Sequence, residues 1–138
     1  MKLNEAARWV KGNKPVTDPL CLITTTTDSI ENARAIAASL LENQLAACVH
    51  IYPIESHYSW QGNLACDQEF SLHIKTAASR CEELRIALCK IHTYEIPQII
   101  QLDITTGHEP YLDWVRQAVA QQESPEDTPD CDKNSRTT

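Results

Sequence analysis

Glycine is scarce, with three residues in a chain of 138. That excludes the phosphate-cradling loops of P-loop and dinucleotide-binding proteins, which need several closely spaced glycines. There is no Ser- or Cys-centred elbow motif, and no nucleophile stands within sequence reach of a base and an orienting group. No apolar run approaches about 18 residues, so no membrane span is expected. The segment 1–19 has one short apolar stretch and no small-residue cleavage site, unlike a secretory leader. The cytoplasm is therefore the simplest location, and the six cysteines are expected as thiols rather than as a disulfide set. None of them forms a Cys-x-x-Cys pair, which argues against a structural zinc site. Repeats at solenoid spacing are absent as well.

Positive charge is also in short supply. Twelve Lys/Arg face 19 Asp/Glu, a formal net charge of −7. The deficit sits in the middle, where residues 19–119 hold six basic and twelve acidic side chains. Such a domain repels phosphate backbones, so nucleic acid is a poor partner. A cationic ligand fits better, although an acidic balance also serves plain solubility. At 15.5 kDa and 42% hydrophobic residues the chain suits one domain with a modest core.

What is present is a clean alternation of strand and helix signals. Residues 1–18 read as a flexible N-terminal arm, 19–120 as the folded domain, and 121–138 as a disordered acidic tail that holds Cys131. Leu20 to Thr26 is apolar and β-branched, a strand. Asp28 and Glu31 have the spacing of a capping box for a helix with an apolar stripe of Ile30, Ala33, Ala37, Leu40 and Leu41. Two strands follow as one long hairpin. In the second of them Phe70, Leu72 and Ile74 alternate with Glu69, Ser71, His73 and Lys75. Trp60 and Gly62 mark the turn between them. Ser79 and Glu82 suggest a second capping box, ahead of a stripe of Leu84, Ala87, Leu88 and Ile91. Cys81 and Cys89 fall on that helix and read as packing. Pro97 precedes a fourth strand, Ile99 to Ile104. Pro110 suits the first turn of a last helix carrying Tyr111, Trp114, Val115 and Ala118.

The order βαββαβ predicts an α+β fold, the ferredoxin-like plait, with a long hairpin between the second and third strands and an extra C-terminal helix. Two helices cover one sheet face only. The other face and the long edge strands invite assembly with further copies of the chain.

Candidate chemistry gathers on the hairpin and after the second helix. Cys48 and His50 alternate onto one strand face, and a thiolate with an imidazole suits copper or zinc. A third ligand must come from His73, Glu69 or a neighbouring subunit, and the hairpin register decides which. The alternative is that Cys48 is a small buried apolar residue. Glu69 and Lys75 share a face but lie roughly 20 Å apart along the strand, so each can pair only with something else. His92, Thr93, Tyr94 and Glu95 make the densest polar cluster. They form either a ligand site or a helix end in which His92 answers the macrodipole. Tyr111 and Trp114 read as core or interface.

The segments Leu45-Ala46-Ala47-Cys48, Tyr58-Ser59-Trp60-Gln61-Gly62, Lys75-Thr76, His92-Thr93-Tyr94-Glu95-Ile96-Pro97 and Tyr111-Leu112-Asp113-Trp114 occur in that order. Together they resemble the CutA divalent-cation-tolerance family over residues 19–119. The resemblance implies a ferredoxin-like fold, a tight homotrimer, a cytoplasmic location, copper binding and a likeness to trimeric PII signalling proteins. It implies metal tolerance rather than an enzymatic reaction. Cys48 with His50, or His92 with Glu95, would then be metal ligands. Trp60, Glu69, Lys75 and Tyr94 would belong to a cleft between subunits. The PII likeness leaves a second reading open, a sensor holding a small anionic metabolite with Lys75 and Tyr94 and signalling through the hairpin tip at Trp60. A third is a trimeric scaffold with no ligand. Thr93 stands where the family has proline, and Gln98 where it has glutamate. His50, His57 and Cys66 also differ from the usual family residues.

Overall fold

A computed structural model describes residues 18–121. The expected arm and acidic tail lie, but for their inner ends, outside the described residues. The elements are β1 (Leu20–Thr27), α1 (Ile30–Glu42), β2 (Cys48–Trp60), β3 (Asn63–Ala77), α2 (Cys81–Ile91), β4 (Ile99–Ile104) and α3 (Glu109–Val119). A single 3-10 turn, Ala78–Arg80, leads into α2. The sheet order is β2-β3-β1-β4 with every pair antiparallel, which is the ferredoxin-like plait. The eight-residue β1, rich in β-branched side chains, is a central strand, paired with β3 on one edge and β4 on the other, and it buries the face that carries Cys21, Ile23, Thr25 and Thr27.

One sheet face carries α1 and α2. Cys21, Ile23, Leu72 and Ile74 meet Ala33, Ile36, Leu40, Leu84 and Leu88 there in one buried cluster. Ile36 takes the place expected for Ala37, and Leu41 is turned out to solvent. Both expected capping boxes are absent. Ser29, not Asp28, caps α1: its backbone is extended and its hydroxyl accepts from the Asn32 N–H at 3.1 Å. At α2 the 3-10 turn intervenes, and Ser79 donates its hydroxyl to Asp18 instead of capping the helix. Cys81 is buried as expected, whereas Cys89 is exposed. Cys21 and Cys81 turn their sulfurs toward each other in the core. Their Cα atoms are 7.9 Å apart, wider than the roughly 4.4–6.8 Å that disulfides span.

The second face is not left bare. α3 folds across one end of it and buries Leu112, Val115 and Val119 on Leu20 and Ala77. Tyr111 and Trp114, expected in the core or at an interface, stack on each other at its edge with ring centroids 5.7 Å apart. The rest of that face remains open and presents Tyr52, Ile100 and Leu102 to solvent.

Candidate functional site

The hairpin positions most of the chemistry, and its turn sets the register. Gln61 and Gly62 form the two-residue connection, with φ values of +49° and +80°. Positive φ at both central positions marks the turn type whose twist matches a right-handed hairpin. Glycine adopts this freely, whereas glutamine pays a steric penalty for it. Counting outward, Trp60 pairs with Asn63, His57 with Cys66, His50 with His73 and Cys48 with Lys75. Beyond Phe70 toward the tip the hairpin leaves β1 behind, because β1 pairs with β3 only between Phe70 and Ala77.

Cys48 and His50 meet on the open face, with Sγ 3.4 Å from Nε2. Donors held by one tetrahedral ion at ordinary Zn–S and Zn–N bond lengths lie about 3.5 Å apart. The pair is therefore spaced as two ligands of one ion. His73, directly across from His50, shares that face, and its ring packs 4.8 Å from the Tyr52 ring. Cys48 is half-buried and His50 exposed, so an ion there is reachable from solvent.

His92 and Glu95 are arranged differently. The His92 ring is nine-tenths buried. Its Nδ1 accepts from the Tyr94 N–H at 3.0 Å, so Nε2 carries the proton in the neutral ring. Nε2 then donates to the Thr26 carbonyl at 2.9 Å, with the Thr25 hydroxyl 3.1 Å away. Both nitrogens are thus engaged within the fold, which leaves no lone pair facing a ligand. Burial lowers the pKa of this imidazole, against a weaker opposing pull from the Thr26 carbonyl, Asp28 and Glu69. Glu95 is exposed on the following loop.

The same loop is tied to the sheet at two more points. Tyr94 donates its hydroxyl to Glu69 at 2.7 Å. Burial, together with the Glu69 carboxylate, raises the tyrosine pKa far above its usual value. Thr93 donates its hydroxyl to Asp28 at 3.2 Å, a further tie between the loop and the start of α1. Asn32 adds a link between helices: its amide donates to the Ile91 carbonyl at 3.2 Å and accepts from Thr27 at 2.6 Å.

The remaining cleft residues are dispersed within one subunit. Trp60 stands at the hairpin tip. Lys75 lies at the other end of β3, with Nζ 5.3 Å from the centre of the Tyr111 ring. Only Glu69 and Tyr94 touch.

Sequence reasoning noted His57 and Cys66 as unusual but did not join them. In the structure they are cross-strand partners, and with Glu55 they form the only group of three or more ligand-type side chains within 4.8 Å of one another among the described residues. The signal was the two-residue turn, because symmetric counting from Gln61-Gly62 places residue 57 opposite residue 66.

Known proteins share this architecture. Residues 21–118 match the family described as CutA1 divalent ion tolerance protein. A divalent-cation tolerance protein CutA from Thermus thermophilus is 43% identical over 93 residues, covering 67% of this chain and 90% of that protein. The structure of a periplasmic divalent cation tolerance protein CutA from Archaeoglobus fulgidus superposes with a TM-score of 0.71 at 37% identity, covering 73% of this chain and 99% of that one. A chloroplastic CutA protein from Arabidopsis thaliana is 38% identical over 114 residues, covering 82% of this chain and 62% of that protein.

Proposed function

Because the chain belongs to the CutA1 divalent ion tolerance family, we propose that it is a non-enzymatic homotrimer that binds a divalent cation, copper first, through Cys48 and His50. The observation that carries this reading is the 3.4 Å approach of a thiol to an imidazole on an open sheet face. Soft sulfur with nitrogen suits copper above harder cations. Two ligands are too few for a tight site. His73 supplies a third by a side-chain rotation, or a neighbouring subunit supplies it. Metal involvement agrees with the divalent-cation tolerance named for the Thermus thermophilus relative, and neither that name nor the family description includes a reaction.

Self-assembly is supported by surface that a monomer would not keep exposed. Leu64 is 94% and Ile96 90% accessible. Trp60, Ile100 and Leu102 are also well exposed. Large solvent-facing apolar groups next to an unpaired stretch of hairpin point to burial against copies of the chain.

A cytoplasmic location goes with cysteines kept as thiols. No helix among the described residues is long and apolar enough to cross a membrane. Because relatives are named as chloroplastic and periplasmic, cell fractionation is the test of compartment.

The sensor reading needs Lys75 and Tyr94 on one ligand. Tyr94 is tied to Glu69, roughly 20 Å from Lys75 along β3, so a small metabolite reaches both only across a subunit boundary.

Calorimetric titration of copper into reduced protein under anaerobic conditions tests the metal reading. Saturable binding that falls by one ion per chain in Cys48→Ser is the expected result. Equal binding in wild type and Cys48→Ser removes Cys48 from the site. Stabilisation by metabolites but not by metals in a thermal-shift screen would favour the sensor.

A further inference from the structure

We propose that this chain carries a second divalent-cation site, of the zinc class, on the outer part of the hairpin, formed by Cys66, His57 and Glu55. Register brings the three side chains together. Glu55 and His57 are two apart on β2, so they share a face, and Cys66 is the direct cross-strand partner of His57. Thiol, imidazole and carboxylate therefore converge from both strands. The Cys66 Sγ is 3.7 Å from the His57 Nε2, close to the separation of about 3.5 Å that one tetrahedral ion imposes on such donors. The His57 Nε2 and the Glu55 Oε1 are 2.6 Å apart, a hydrogen bond that a bound ion must open by less than about 1 Å. All three side chains are exposed and the strands around them are regular, so the opening costs no core packing.

The donor set selects the ion. Sulfur and nitrogen with one carboxylate oxygen suit a borderline cation such as Zn²⁺, and three protein ligands leave a fourth position for water or for a neighbouring chain. This site is separate from the Cys48–His50 pair. His57 lies seven residues beyond His50, roughly 23 Å along the strand, and on the opposite face of the sheet. An ion here would also clamp the two strands where β1 no longer supports them.

The test is cobalt(II), a zinc substitute with a visible spectrum, titrated into the reduced full chain without oxygen, followed by displacement with zinc. Wild type is compared with Cys66→Ser, His57→Gln and Cys48→Ser. The expected result is a thiolate-to-cobalt charge-transfer band that persists in Cys48→Ser at no less than one equivalent per chain. Cys66→Ser removes that equivalent, and so does His57→Gln, although its thiol is intact. Zinc should raise the melting temperature of Cys48→Ser but not that of a Cys48→Ser/Cys66→Ser double variant. An unchanged cobalt stoichiometry in Cys66→Ser overturns the second site and leaves the Cys48 reading standing. Loss in Cys66→Ser with no change in Cys48→Ser does the reverse. Because Cys66 and His57 are exposed, both variants are expected to fold, and circular dichroism checks this.

Discussion

Replacing His92 with alanine should destabilise the fold by about 2–4 kcal/mol at neutral pH. Two hydrogen bonds disappear, one from Nε2 to the Thr26 carbonyl and one from the Tyr94 N–H to Nδ1. A buried polar group left without its partner costs about 1–3 kcal/mol, and water can re-solvate the half-buried Tyr94 N–H in part. The pH dependence is the sharper half of the prediction. The folded chain holds His92 neutral, with its pKa lowered by burial. Protonation would place a hydrogen on Nδ1, against the Tyr94 N–H. In the unfolded chain the imidazole takes up a proton near its ordinary value of about 6.5. Between that value and the lower folded value the unfolded state binds more protons, so wild-type stability falls as pH drops through that window. The variant lacks this contribution. The gap between wild type and His92→Ala should therefore narrow on acidification from about pH 8 to about pH 5.5. Urea denaturation at one fixed protein concentration reads the gap at each pH. A gap that stays constant, or widens toward acid, refutes the neutral buried imidazole.

Gln61→Asn should stabilise the protein by up to about 1 kcal/mol, because asparagine tolerates the positive φ of this turn better than glutamine does. A chemical melt that shows no gain would count against the turn assignment. Leu84→Ala, at a fully buried position between α2 and the sheet, should cost about 2–5 kcal/mol in the same assay. Tyr94→Phe should cost about 1 kcal/mol by removing the hydroxyl from Glu69. Spectrophotometric titration should show one fewer late-titrating phenol in that variant, because Tyr94 is the phenol held far above its ordinary value.

Much of the fold was legible because periodicity reports burial. The strict alternation of Phe70, Leu72 and Ile74 placed β3, and the spacing of Leu84 and Leu88 placed the buried stripe of α2. Caps were read less well. Asp28 and Ser29 are adjacent and both favour an N-cap, and only the loop after α2 decides between them, by offering Thr93 to Asp28. Ser79 was likewise diverted by Asp18, which lies 61 positions away in sequence. The buried face of α3 was read in part: Val115 is buried as its place on the stripe implies, Leu112 and Val119 were passed over, and Tyr111 and Trp114, expected in the core or at an interface, stack on each other at the edge. On the site side, the pairing of Cys48 with His50 followed from a spacing of two. The engagement of the His92 Nε2 did not, because its partners Thr25 and Thr26 are remote in sequence. The grouping of Glu55, His57 and Cys66 needed the register, which no local pattern states.

The most direct measurement is native mass spectrometry of the reduced full chain with copper, alongside Cys48→Ser and His50→Gln, because it counts subunits and ions in one spectrum. The account expects a trimer that carries one copper for each intact Cys48–His50 pair, and a trimer stripped of those ions in either variant. A monomer, or a metal load identical in all three proteins, would contradict it.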